Sequence, residues 1–223
     1  MNRARAYFAE FLGSLLLAGV VIGSGILAVA VSGGNDGVAL LGNTAATGAI
    51  LWVLVATLGP ISGAHFNPAV TVSFLMKREI SGLDALVFIA LQVAGCVVGG
   101  MLAHIMFELP VLQIATTDRS GLAKVIAEGT ATFALVFAIF GAIRYAPKAV
   151  PAAVALVITA GYWWTASTSF ANPAITIARA LSDTFAGVRP SDVPGFMIGQ
   201  FIGAFLATLS AGFLFSDEKD QDA

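Results

Sequence analysis

The hexapeptides HFNPAV (residues 65–70) and FANPAI (residues 170–175) repeat the tripeptide Asn-Pro-Ala 105 positions apart. Asparagine favours the N-cap of a helix, and proline favours the first helical position after it. A short apolar segment continues each copy, over residues 67–76 and 172–181. Ten helical residues are about 15 Å long, roughly half of the ~30 Å hydrocarbon core of a bilayer. The pair therefore predicts two half-helices that enter a membrane without crossing it.

The composition agrees with a membrane protein. Hydrophobic residues make up 58% of the chain, charged residues only 11%, and the mean hydropathy is +0.90. Soluble domains carry about a quarter charged residues, so this chain is expected to use a lipid bilayer as its solvent. A net charge of −2 argues against a nucleic-acid partner. The single Cys96 excludes a disulfide framework, and the sequence indicates no metal site and no cofactor.

Six apolar stretches are predicted to cross the bilayer as an all-α bundle. Turn-rich or charged segments separate them, for example the turn cluster SGGNDG at residues 32–37. The predicted spans are Ala6–Ser32, Val38–Leu58, Leu83–Phe107, Leu122–Ile143, Ala149–Trp164 and Val193–Phe215.

The two halves of the chain repeat the same order of polar residues. A glutamate lies in the first span of each half (Glu10 and Glu128), and a glutamine lies in the third (Gln92 and Gln200). Three spans are an odd number, so the second half enters the membrane from the opposite side. The sequence predicts an inverted repeat of residues 1–115 and 116–215, followed by an acidic and disordered tail, 216–223.

The basic residues predict the orientation. Cytoplasmic loops carry an excess of lysine and arginine. With both termini inside, seven basic residues lie on the cytoplasmic side and four lie outside or near the outer surface. The first set is Arg3, Arg5, Lys77, Arg78, Arg144, Lys148 and Lys219, and the second is Arg119, Lys124, Arg179 and Arg189. The protein is therefore expected to be a multi-pass protein of the cell's inner (plasma) membrane with cytoplasmic termini.

The half-helices suggest what the centre of the bundle does. Two helix N-termini that meet at mid-membrane present two positive dipole ends there, which repel cations and protons. Asn67 and Asn172 cap these helices and offer amide donors to a small neutral solute. Glu10 and Glu128 are either proton relays or acceptors for loop N–H groups, and the structural role is preferred because each recurs beside a loop. His65 is expected to be a fixed loop residue rather than a proton carrier or metal ligand.

The run SGAHFNPAVT (residues 62–71) resembles the first signature of the aquaporin and glycerol-facilitator family, also called the major intrinsic proteins. Asn172-Pro173-Ala174 resembles the second signature, as Asn67-Pro68-Ala69 does the first. The resemblance implies a homotetramer with one pore per subunit, in which both tripeptides line the pore. Water or small uncharged solutes would pass down their gradient.

Ile175 departs from the family pattern, which usually places an arginine three residues after the second asparagine. The resemblance implies that this position forms an outer constriction, or selectivity filter, with three partners. By spacing these are Thr47, Ala160 and Ser169, or Gly161 instead of Ala160 if the register shifts by one residue. All of these side chains are small or uncharged. The implied filter is wider, less polar and without fixed charge.

Such a filter is expected to admit glycerol, urea or protonated arsenite. The run ITIARALSD (residues 175–183) resembles bacterial members associated with arsenic resistance, which also lack the filter arginine.

Arg179 lies four residues after Ile175, on the same helical face and about 6 Å further along the axis. One interpretation places its charge in the outer vestibule of the pore. The other is that it interacts with the carboxyl end of the half-helix, where a positive charge is favourable.

Two other functions remain open. A gradient-coupled secondary transporter also uses inverted repeats and broken helices, although this chain is short and has few intramembrane charges. A structural membrane protein with a closed pore is the second. An enzyme is not expected, because the sequence indicates no nucleophile–base pair and Ser169 has no nearby histidine.

Overall fold

Eight α-helices and two 3₁₀ turns form the part of the chain that the computed structural model describes, residues 2–216. No strand occurs within this range. The helices are α1 (Arg3–Val31), α2 (Asp36–Ser62), α3 (Pro68–Met76), α4 (Gly82–Met106), α5 (Leu122–Tyr145), α6 (Val150–Trp164), α7 (Pro173–Ala180) and α8 (Val193–Leu214), with 3₁₀ turns at Pro147–Ala149 and Pro190–Asp192.

Five of these helices are long and apolar enough to cross a membrane: α1, α2, α4, α5 and α8. The remaining predicted span, Ala149–Trp164, corresponds to α6, which has 15 residues and follows the turn Pro147–Ala149. The helices begin and end within a few residues of the predicted bounds. They extend furthest past them at the start of α1 and the end of α2, because backbone helicity continues beyond the apolar segment that hydropathy detects.

Short helices α3 and α7 occupy the two predicted half-helix segments. Asn67 is the N-cap of α3 and Asn172 is the N-cap of α7, each followed by proline at the first helical position. With nine and eight residues, these helices cover less than half of the hydrocarbon core. The predicted tail, residues 216–223, lies outside the described residues except for Ser216.

Helices α1 and α4 pack closely through glycine, and α5 and α8 do the same. A Cβ at Gly99 would lie 2.1 Å from the carbonyl oxygen of Leu15, and a Cβ at Gly203 would lie 2.0 Å from that of Gly129. Both distances are shorter than any atomic contact allows, so only glycine fits. Small residues four positions apart, such as Gly95 and Gly99, let membrane helices approach in this way.

Apolar side chains cover both the inside and the outside of the bundle. Leu17, Leu51 and Leu135 belong to a continuous buried core that surrounds the two half-helices. Phe8 and Trp52, by contrast, project outward and are more than half exposed. An exterior this apolar is unsuited to water and fits contact with lipid. The assignment of residues 1–115 and 116–215 to two repeats of opposite orientation stays a prediction.

Candidate functional site

The N-termini of α3 and α7 meet in the middle of the bundle. The side-chain amide of Asn67 donates to the carbonyl of Ala171 at 2.7 Å, and that of Asn172 donates to the carbonyl of Phe66 at 2.8 Å. Each asparagine also accepts a hydrogen bond from its own helix, from Ala69 N and Ala174 N respectively, both at 2.9 Å. Each asparagine thus caps one half-helix and fixes the loop before the other.

The two loops have the same unusual backbone. Ala64 and Phe66 have φ values of +53° and +48°, and their counterparts Ser169 and Ala171 have +51° and +47°. Residues other than glycine rarely adopt this left-handed region. Strained backbone of this kind persists where surrounding contacts over-determine it. The polar residues that supply those contacts are buried beneath each loop.

Glu10 holds the first loop. Its carboxylate accepts hydrogen bonds from His65 N at 3.0 Å, Phe66 N at 2.8 Å and the Ser62 hydroxyl at 2.7 Å. The Gln92 side-chain amide donates to the same carboxylate at 2.7 Å. Glu10 is fully buried. Its oxygens are therefore directed at loop donors, as the structural-acceptor interpretation expects.

Glu128 holds the second loop with the same contacts. It accepts from Phe170 N and Ala171 N, both at 2.8 Å, and from the Ser167 hydroxyl. The Gln200 amide donates to it at 2.6 Å. Each glutamine amide also has a second partner, which is a threonine hydroxyl in a half-helix. Gln92 donates to Thr71 and Gln200 donates to Thr176, each at 2.9 Å.

His65 is fixed by its neighbours. Its Nδ1 lies 3.1 Å from the Thr71 hydroxyl, and its ring stacks on Phe74 with the ring centroids 4.5 Å apart. Within residues 2–216, no group of three or more His, Cys, Asp or Glu side chains is placed to hold a metal ion. The position of His65 is that of a loop residue anchored by packing.

One cavity follows the line where the two half-helices meet. Asn67, Asn172, His65 and Arg179 are part of its wall. Most of the remaining wall is apolar, with Leu51, Val55, Val70, Leu135, Ile139, Val154 and Ile158. It leaves about 60 Å³ for the centres of water-sized molecules. Since one such centre needs about 10–15 Å³, the space fits a few molecules in a narrow path.

Three of the four predicted filter residues lie on this cavity: Thr47, Ser169 and Ile175. The prediction of Ala160 is wrong. Ala160 is exposed on the outside of α6 and is not part of the cavity wall. Spacing across the irregular loop between α6 and α7 places the register of α6 incorrectly, because a loop with left-handed backbone at Thr168, Ser169 and Ala171 does not preserve helical spacing.

Gly161 and Tyr162 occupy the place expected for Ala160. A Cβ at Gly161 would lie 2.4 Å from the Ser169 hydroxyl, so the lack of a side chain there makes room for Ser169. Tyr162 lines the cavity, and its hydroxyl lies 3.2 Å from that of Thr47. The cavity wall thus holds the hydroxyl groups of Thr47, Tyr162 and Ser169 together with the apolar Ile175. Tyr162 therefore fills space that the predicted filter residues leave open.

Arg179 is buried and lines the same cavity. Its guanidinium carbon lies 3.3 Å from the centre of the Phe170 ring. Its Nε donates to the carbonyl of Ala186, beyond the end of α7. The side chain therefore projects toward the cavity and the following loop, and its hydrogen bond is not to a carbonyl of its own helix.

A family model described as major intrinsic protein matches residues 1–149. The chain belongs to the major intrinsic protein family. Members of this family are channels rather than enzymes, so the protein is a multi-pass membrane channel for water and small solutes.

The relatives of this major intrinsic protein are similar over most of their length. It is 50% identical to the aquaglyceroporin AqpS of Rhizobium meliloti (strain 1021) over 203 residues, which covers 91% of this chain and 87% of that one. It is 33% identical to human aquaporin-2 over 220 residues, or 92% and 77% of the two chains. A solved aquaglyceroporin from Plasmodium falciparum superposes with a TM-score of 0.76 at 16% identity, covering 93% and 95%, and shows the shared fold.

Sequence reasoning missed several site residues of this major intrinsic protein. Thr71 and Thr176 support the glutamines, and Ser62 and Ser167 support the glutamates. The repeat spacing could have found them, because each pair is 105 positions apart, as the two asparagines are. Tyr162 carried no such signal.

Proposed function

We propose that this protein is a passive channel that conducts small uncharged solutes such as glycerol, urea or protonated arsenite, together with water. One observation carries the proposal: Ile175 lines the cavity three residues after Asn172, where the family resemblance leads one to expect an arginine. An isoleucine there removes a fixed charge and a strong donor from the cavity wall.

The composition of the constriction supports solutes with both polar and apolar surface. Thr47, Tyr162 and Ser169 contribute hydroxyl groups, which donate and accept hydrogen bonds. Ile175 and the neighbouring aliphatic side chains offer apolar contact. A polyol or an undissociated oxyacid has hydroxyl groups and no charge, so it can exchange hydrogen bonds with the wall without the cost of desolvating an ion.

The meeting point of the half-helices supports passage of neutral molecules over ions. The amide nitrogen of each asparagine has two N–H donors, of which one is used by the carbonyl of the opposite loop. The second is left for a passing solute. Cations are disfavoured at the same point, because two helix N-termini converge there.

Assembly and orientation follow from the family resemblance and from the basic residues. The proposal includes a homotetramer with one pore per subunit and a location in the cell's plasma membrane with both termini in the cytoplasm. Under this orientation, the cavity end at Arg179 (the Arg179 mouth) faces outward, and the end at His65 (the His65 mouth) faces the cytoplasm.

Stopped-flow light scattering of proteoliposomes tests the proposal. The wild type, Ile175→Arg and the conservative control Ile175→Leu would receive osmotic shocks with an impermeant sugar, glycerol and urea, and arsenite uptake would be measured in parallel. We expect the wild type and Ile175→Leu to conduct the solutes. Ile175→Arg is expected to retain water flux and to lose solute flux at least tenfold, since a guanidinium fills the constriction.

Other results would decide between the alternatives. Passage of water alone by the wild type would contradict the proposed solute range. Flux that follows an imposed proton or sodium gradient would indicate a coupled transporter. Vesicles that pass neither water nor solute would support a structural membrane protein with a closed pore. The small free space in the cavity is compatible with that alternative.

A further inference from the structure

Two buried or half-buried arginines lie at the Arg179 mouth without a carboxylate partner. Arg119 belongs to the segment between α4 and α5, and Arg179 belongs to α7. Their guanidinium carbons lie 5.1 Å and 3.3 Å from the centre of the same Phe170 ring. Among the described residues, neither guanidinium forms a salt bridge. The two charges repel each other, and the Glu128 carboxylate attracts both without forming a salt bridge to either.

Both arginines are bound to backbone carbonyls of one short loop. Arg119 donates from Nε to Gly187 at 2.8 Å and from Nη2 to Phe185 at 3.3 Å. Arg179 donates from Nε to Ala186. Three consecutive carbonyls therefore hold two guanidinium groups. Carbonyls satisfy the donors but leave the net positive charge in place.

The segment that carries Arg119 is fixed to the rest of the mouth. The backbone N–H of Arg119 donates to the Asp192 carboxylate at 2.9 Å, and the carbonyl of Thr117 accepts from Arg189 N at 2.9 Å. Two residues before Thr117, the backbone N–H of Ala115 donates to the carbonyl of Ala180 at 3.0 Å. Because these backbone contacts lie on both sides of Arg119, the fold fixes the position of this residue at the mouth.

We propose that Arg119 and Arg179 together form an electrostatic barrier to cations at the Arg179 mouth, in addition to the helix N-termini at the centre and in place of the guanidinium that is absent at Ile175. Charges surrounded by protein and lipid act over longer distances than charges in water, because the surroundings screen them less. They raise the energy of a cation in the path and leave a neutral solute unaffected. Arg179 lines the cavity directly, and Arg119 adds its charge from the adjacent segment.

The inference rests on the proposed function, because a cation barrier matters only in a conducting pore. The test measures sodium leak and glycerol flux in the same proteoliposomes. The variants are Arg179→Met and Arg119→Gln, which remove charge but keep most of the side-chain volume, and Arg119→Lys, which keeps the charge but loses the two-carbonyl fork. Lys124→Gln is the control, since it removes the positive charge of a half-buried residue at the nearby start of α5.

We expect Arg179→Met to raise sodium leak at least about tenfold and Arg119→Gln to raise it about threefold. Glycerol flux is expected to stay at the wild-type level in Arg119→Gln, because Arg119 does not line the cavity. Arg119→Lys and Lys124→Gln are expected to leak like the wild type. Equal leak in Arg119→Lys and Arg119→Gln would overturn the barrier, because the role of Arg119 would then be structural. So would wild-type leak in Arg119→Gln with glycerol flux intact, even if Arg179→Met failed to assemble.

The same measurements distinguish failure of the proposed function from failure of the barrier. If the wild type passed no neutral solute, both the function and the barrier would be overturned. Normal glycerol flux with unaltered leak in every variant would overturn the barrier alone.

Discussion

The two asparagine loops share one set of supporting contacts and differ at their mouths. Glu10 and Glu128 accept hydrogen bonds from equivalent loop N–H groups, and Asn67 and Asn172 each donate to a carbonyl of the opposite loop. At the His65 mouth, the ring of His65 stacks on Phe74. At the Arg179 mouth the equivalent positions are Phe170 and Arg179, and the guanidinium of Arg179 lies over the Phe170 ring. The supports are alike because every loop at membrane depth must satisfy its backbone. The side chains at the mouths do not have to satisfy buried backbone groups, so the two ends of the channel can differ there.

The largest expected effect comes from removing either support. Glu10→Gln and Glu128→Gln each replace a carboxylate oxygen that accepts loop N–H bonds with an amide donor. A buried donor facing another donor costs about 1–3 kcal/mol for each lost bond, so we expect each variant to unfold well below the wild-type temperature. Thermal unfolding in detergent would measure this.

The comparison predicts that the two glutamate variants lose stability to a similar extent. Glu108→Gln is the control, because Glu108 lies in the segment after α4 and holds neither loop. If Glu128→Gln were as stable as wild type while Glu10→Gln was not, the two supports would not be equivalent.

A smaller effect is expected from Tyr162→Phe, which affects only the Arg179 half. The substitution removes the hydroxyl that lies 3.2 Å from Thr47 and leaves the ring in the cavity wall. A neutral hydrogen bond contributes about 1 kcal/mol, equivalent to roughly a fivefold change in an equilibrium. We expect glycerol flux to fall by a few-fold, measured by stopped-flow light scattering.

Tyr145→Phe provides the matched control. Tyr145 is exposed at the end of α5 and does not line the cavity. Water flux should remain close to wild type in both variants. Equal glycerol flux in wild type and Tyr162→Phe would remove Tyr162 from the set of residues that select the solute.

The smallest expected effect is a pH dependence at the Arg179 mouth. Hydrogen bonds from the backbone N–H and hydroxyl of Thr116 hold the pKa of the Asp183 carboxyl below its ordinary value. A pKa lowered by folding adds stability at pH values above the ordinary one, and this is lost as the pH falls through the lowered value. Asp183→Asn should therefore unfold slightly earlier than wild type at pH 7.

The difference between Asp183→Asn and wild type should shrink as the pH approaches 3. Thermal unfolding at both pH values would test it. A difference that grew at acidic pH would contradict the assigned sign.

The sequence was sufficient for the parts that are local or repeated. Capping by Asn67 and Asn172 depends on neighbouring residues, and the order of Glu, Asn-Pro-Ala and Gln recurs in both halves. Ala160 was misplaced because a loop of irregular backbone does not preserve helical spacing. For Arg119 the sequence predicted only a basic residue outside or near the outer surface, because its partners at 185–187 are distant in sequence and only the folded chain brings these segments together.

The reciprocal bonds of the two asparagines also set an order for biogenesis. The first loop is synthesised more than a hundred residues before the second, yet the carbonyl of Phe66 has Asn172 as its donor. Until that donor enters the membrane, the first loop is an incomplete structure that water or the insertion machinery must satisfy. The centre of the channel therefore closes only after the second half has entered the membrane, and until then the carbonyl of Phe66 lacks the donor that it has in the folded chain.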